Sequence, residues 1–113
     1  MAKKTQNSYG DGIAEVYRKK DIEKNVRSLV DLEYLGFLYF TEKSRRQQDI
    51  EFAEQCGAHL TTKIATQDLV DPDNDYNIVI DNTIYAIIYV DHNKKDRELY
   101  FYLEEVRKIE RQD

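Results

Sequence analysis

The sequence predicts a mainly β domain, a small antiparallel β-barrel or sandwich with one short α-helix at about residues 45–56. Three observations carry that expectation. The second half consists of short runs rich in Ile, Val, Thr, Tyr and Phe, each bounded by polar, turn-forming residues. Asp81-Asn82, two residues that tolerate positive φ, joins two of those runs and marks a hairpin. Between residues 44 and 57 the chain shows both a helix start and a helix stop.

Taken in order, residues 1–12 read as a flexible arm of Lys, Gln, Asn and Ser with no periodicity. Residues 13–106 form the domain, and 107–113 a charged tail that frays. Ile13 to Tyr17 is a short first strand, and Asp21 to Asn25 is turn-like. Leu29 to Phe40 is a long apolar block, and Gly36 interrupts it as a bulge would. In Ser44-Arg45-Arg46-Gln47 the spacing suits a capping box, with Ser44 as N-cap. Gly57 stands where a left-handed C-terminal cap is wanted. Between them Ile50, Ala53 and Cys56 share a narrow face, so the helix lies on a surface with Cys56 packed as a small apolar residue.

A threonine-rich strand, Leu60 to Thr66, leads into a polar loop holding Pro72. The hairpin over 78–90 follows, with Ile80 opposite Thr83 and Ile78 opposite Tyr85. Thr83 to Val90 is apolar on both faces, Ile84, Ala86, Ile88 and Val90 against Tyr85, Ile87 and Tyr89. A strand with one solvated face alternates, so its second face must meet a helix, another sheet or another subunit. After a polar turn at Asp91 to Asp96, the last strand keeps Leu99, Phe101 and Leu103 inside and turns Tyr100 and Tyr102 outward.

With 113 residues, 41% hydrophobic and 35% charged, the chain has the size of one domain with a core and a highly charged surface. Its longest apolar run is far shorter than the ~20 residues of a membrane-spanning helix. The lysines at the N-terminus precede no apolar stretch, and Cys56 has no partner cysteine, so synthesis and folding in a reducing cytoplasm are expected. The net charge of −5 is unevenly placed. Residues 1–30 carry seven Lys/Arg against four Asp/Glu, and the remainder ten against eighteen. An acidic body repels a phosphate backbone, which argues against a dedicated nucleic-acid binder, and the basic head reads as a solvated or docking arm.

No constellation for catalysis emerges. Asp71-Pro72-Asp73-Asn74-Asp75 starts like a calcium loop, but Tyr76 and Asn82 stand where the loop needs Gly and Glu. His59, His92 and Cys56 lack the convergent spacing of a zinc site. Ser8, Ser28 and Ser44 have no nucleophile-elbow context, and the glycines form no phosphate loop. A non-enzyme without metal or cofactor is the expectation. Nine tyrosines, several facing outward, suit protein contacts, since the ring buries area while the hydroxyl stays wet.

The order of elements in the second half is the most specific signal. A strand, Leu60 to Thr66, and an acidic loop, Leu69 to Asp75, precede Val79-Ile80-Asp81-Asn82-Thr83-Ile84-Tyr85-Ala86-Ile87. The segment closes on Leu99-Tyr100-Phe101-Tyr102-Leu103-Glu104-Glu105-Val106. That order resembles the head–tail joining (head–tail adaptor, head-closure) family of tailed bacteriophages, with Tyr85 and Ile87 or Ile88 at its aromatic and aliphatic places. Gly36 to Gly57 looks like the family's middle segment. The chain departs from many members at Ile64-Ala65-Thr66, where they carry an Arg and an aromatic, and in having no Trp.

The resemblance implies identical copies forming a ring at the head–tail junction of a virion, below the portal, where they close the filled head and offer the tail a platform. The implied partners are the portal or adaptor ring and tail-completion proteins, with DNA passing through the channel unbound. Rings need heterologous interfaces that close by rotation. Tyr85, Tyr89, Tyr100 and Tyr102 are the candidate subunit interface, and Asp71, Asp73 and Asp75 the candidate channel or ring-contact loop. A tail-completion or tail-terminator ring protein is the near alternative, and a small nucleic-acid-binding β-barrel the one from another class.

Overall fold

The computed structural model describes residues 9–69 and 75–109. Among them are the strands β1 (Gly12–Lys19), β2 (Leu32–Lys43), β3 (Thr62–Gln67), β4 (Tyr76–Ile80), β5 (Thr83–Asn93) and β6 (Glu98–Lys108). One α-helix, α1 (Gln47–Gln55), joins β2 to β3, and a single 3-10 turn, Leu29–Asp31, precedes β2. All pairings are antiparallel. The order β1-β2-β3-β6-β5-β4 closes on itself through β4 and β1, so the expected β domain is a closed barrel. Every strand has a neighbour on both sides, but the pairing is partial: residues 32–39 of β2 have no partner on β3, and residues 87–93 of β5 have none on β4.

Alternation places one set of side chains in the barrel. Ala14, Val16, Leu38, Phe40, Ile64, Ile78, Ile80, Ile87, Leu99, Phe101 and Leu103 form its interior, with Tyr76, Tyr85 and Val90 packed against them. The hairpin has the expected register, Ile80 opposite Thr83 and Ile78 opposite Tyr85. Asp81 and Asn82 both have positive φ, 47° and 63°, as a two-residue type I′ turn requires. Gly36 lies at a bulge: Val16 faces Gly36 and Tyr17 faces Tyr34, leaving Leu35 unopposed.

A second bulge explains the two-sided apolar run in β5. Ile87 faces Leu103 and Tyr89 faces Tyr102, so Ile88 is the extra residue. The parity flips there, so that Tyr85, Ile87 and then Val90 point into the barrel. Ile84 and Ile88 point outward and are each covered by part of the same chain. Over Ile84 lies the segment between β1 and β2, where Val26 and Leu29 pack with Tyr17, Leu32 and Val79. Over Ile88 lies α1, where Ala53 and Ile50 pack with Leu60, Tyr100 and Tyr102.

Several local expectations need correction. The helix is not capped by Ser44. It starts at Gln47, and the Asp49 carboxylate accepts the Arg46 backbone N–H at 3.0 Å. A serine-headed cap occurs instead at Ser28, whose hydroxyl accepts from Val30 and whose own N–H donates to Asp31. The helix end is as expected. Gly57 has φ +76°, Gly57 N–H donates to Glu54 and Ala58 N–H to Ala53, the paired bonds of a Schellman motif. Cys56 is exposed, not packed. The expected fraying after Val106 does not occur at once: β6 runs to Lys108, Ile109 N–H donates to Asn82 at 2.6 Å, and Ile109 packs under the β1–β2 segment.

Candidate assembly surface

Beneath α1 the outer face of the barrel carries an ion cluster. Lys63 on β3 and Asp49 on α1 are both buried and meet at 3.1 Å. Arg46 closes on the same carboxylate, its Nη2 3.2 Å from Oδ1 and its Nε 3.2 Å from Oδ2. Lys63 Nζ also lies over two rings, 5.0 Å from the Tyr102 centroid and 5.7 Å from Tyr100. Burial pushes the Asp49 carboxyl up, but the Arg46 side-chain and backbone donors and Lys63 outweigh it and hold it at about 2. Every charge in this cluster is answered, so its evident work is to fasten the helix to the barrel.

The four predicted interface tyrosines end up in different places. Tyr102 points out of the barrel as expected, but α1 covers it and leaves it 7% exposed, so its ring serves the subunit's own packing. Tyr85 points into the barrel and is half-buried, and burial together with Glu105 raises its phenol pKa. Tyr100 is half-buried and donates to Glu98 at 2.8 Å, while Tyr9 donates to the other Glu98 oxygen at 2.7 Å. Burial and the Glu98 carboxylate raise the Tyr100 pKa. Tyr89 alone of the four is exposed, and it stands edge-on to Phe52 with centroids 5.3 Å apart. Of the loop acids, Asp71 and Asp73 lie outside the described residues, and Asp75 is exposed in the turn before β4.

Among the described residues another exposed apolar surface lies elsewhere. On the outer face of β1 and β2, Ile13 pairs with Tyr39 and Glu15 with Phe37. Phe37 is 50% exposed and Tyr39 59%, their rings edge-on at 5.5 Å, with Ile13 also about half exposed beside them. Sequence reasoning missed this face, although a signal existed. Phe37-Leu38-Tyr39-Phe40 is apolar on both faces, like β5, and the same question of what covers the second face applied. Neither covering segment reaches this face: α1 packs against residues of β3, β5 and β6, and the β1–β2 segment packs around Val79 and Ile84.

The charged residues on these two strands are Glu15, Glu33 and Glu42 against Arg18, Lys19 and Lys43, with Arg18 engaged by Glu33 at 2.6 Å. A stacking platform for single-stranded nucleic acid sets its aromatics in a basic groove, and these two strands carry no excess of basic residues. Among the described residues no group of three or more His, Cys, Asp or Glu is placed to hold a metal ion. None of the described helices is long and apolar enough to cross a membrane. No protein-family model matches the chain, and no curated protein sequence matches it.

Proposed function

We propose that this chain is a non-enzymatic structural virion protein of a tailed phage or prophage, one copy of a ring at the head–tail junction. In that reading the ring closes the DNA-filled head and presents the attachment platform for the tail. The observation that carries the assembly part is the uncovered aromatic face of β1 and β2 on the closed barrel. Exposed apolar patches of this kind mark contacts made through side-chain faces. The place in a virion is supported by the order of elements from Leu60 to Val106, on which the likeness to head–tail joining proteins rests.

The test is deletion of the gene from the phage or prophage that encodes it. The expected result is heads that package DNA but lose it and remain tailless in electron micrographs, with rescue by the protein supplied in trans. Heads that keep their DNA and join tails normally would overturn the reading.

A further inference from the structure

We infer that copies of this chain associate head to tail, the β1–β2 face of one packing against the α1–β5 face of the next. The inference deepens the ring reading and rests on its self-association, not on its place in a virion. Strand order supplies the geometry. In the closed sequence β1-β2-β3-β6-β5-β4, the β1–β2 pair and the β5–β6 pair are separated by one strand in either direction, so their outer faces lie on opposite sides of the barrel. The first carries Ile13, Phe37 and Tyr39, each about half exposed. The second carries Phe52 on α1 and Tyr89 on β5, 40% and 42% exposed and in edge-on contact. Two apolar faces on opposite sides of one subunit suit heterologous contacts that propagate around a ring. A two-fold dimer would use one face and leave the other wet.

The occupant is another copy, because the same subunit carries a second apolar face on its opposite side, and among the described residues neither α1 nor the β1–β2 segment packs on the β1–β2 face. Residues 1–8, 70–74 and 110–113, outside the described structure, hold only Met1, Ala2, Val70 and Pro72 as non-polar side chains. Half-exposed aromatic rings plus Ile13 present on the order of 300–400 Å² of apolar area. That is less than the roughly 800 Å² each partner gives to a standard interface, so a single contact is weak and closure of the ring adds to it.

Two variants test the pairing. Variant one, Phe37→Thr with Tyr39→Thr, removes the first face with residues that suit a strand. Variant two, Phe52→Gln with Tyr89→Thr, removes the second, and Phe52→Gln alone serves if the pair loosens the helix. Mass by light scattering or sedimentation is followed up to about 1 mM, where very weak contacts still register. The wild type should gain mass with concentration, and each variant alone should weaken that association about tenfold or more. An equal mixture of the two should form a one-to-one dimer and nothing larger, since only one intact face of each kind remains per pair. A wild type that stays monomeric throughout would overturn the contact, as would a variant two that still dimerises by itself. Association retained by both variants would overturn these faces while leaving a ring built through others, which the gene deletion tests separately.

Discussion

The two sides of this barrel use the same kind of residue to opposite effect. On β6, Tyr102 points away from the barrel axis and is 7% exposed; on β2, Tyr39 also points away and is 59% exposed. Both are tyrosines on long antiparallel strands, and both lie outside the interior cluster. The difference is what passes overhead. α1 crosses the first, fastened by Lys63 and Asp49, and nothing in the described chain crosses the second. An outward aromatic on a strand therefore does not by itself make a candidate interface; it must also lack a covering segment.

The comparison breaks most visibly at the ion pair. Lys63→Ala leaves Asp49 buried with Arg46 as its only cation, and it should destabilise by about 3 kcal/mol in denaturant melts. It should also raise the protease sensitivity of 44–61, the segment that includes α1. Lys63→Met should cost less than Lys63→Ala, because the methionine chain keeps the stem's packing against Tyr102.

A smaller effect comes from acid. Asp49 has a folded pKa of about 2, below its unfolded value of about 3.9. Its contribution is therefore fully present above pH ~4 and lost as pH falls through about 2. With allowance for solvent screening it amounts to on the order of 1–2 kcal/mol. In Asp49→Asn that acid-dependent loss should be missing from the stability–pH profile, while the variant is less stable at neutral pH.

Gly57 sharpens the contrast further along the same segment. At φ +76° an alanine is strained whatever the space around it, so Gly57→Ala should cost about 1 kcal/mol through the helix end. The smallest effect belongs to the bare side. Phe37→Thr with Tyr39→Thr should shift monomer stability by no more than about 0.5 kcal/mol each, because neither ring is packed beneath another element. A loss of several kcal/mol there would mean that the β1–β2 face is part of the subunit's own packing after all.

Local rules carried much of the fold. The Asp81-Asn82 turn, the Gly36 bulge and the Gly57 helix end are each legible because a short dipeptide or a single glycine is demanded by a backbone angle. The N-terminal cap was misread for the complementary reason. Ser44 and Asp49 both offer oxygens near the helix start, and the choice went to Asp49 because Lys63, nineteen residues beyond Ser44 in sequence, pairs with it from β3. The interface tyrosines failed in the same way: alternation shows that Tyr100 and Tyr102 leave the barrel, but not that α1 returns over them.

The sequence by itself determined the β class, the hairpin register, and the helix and its end. These depend on neighbours within a few residues, where sterics and periodicity suffice. Only the tertiary structure decided that the sheet closes through β4 and β1, that the Ile88 bulge switches β5 from one face to the other, and which outward aromatics stay wet. Those outcomes depend on where segments distant in the chain come to rest. Exposure is a property of what lies above a residue, and local pattern does not contain it.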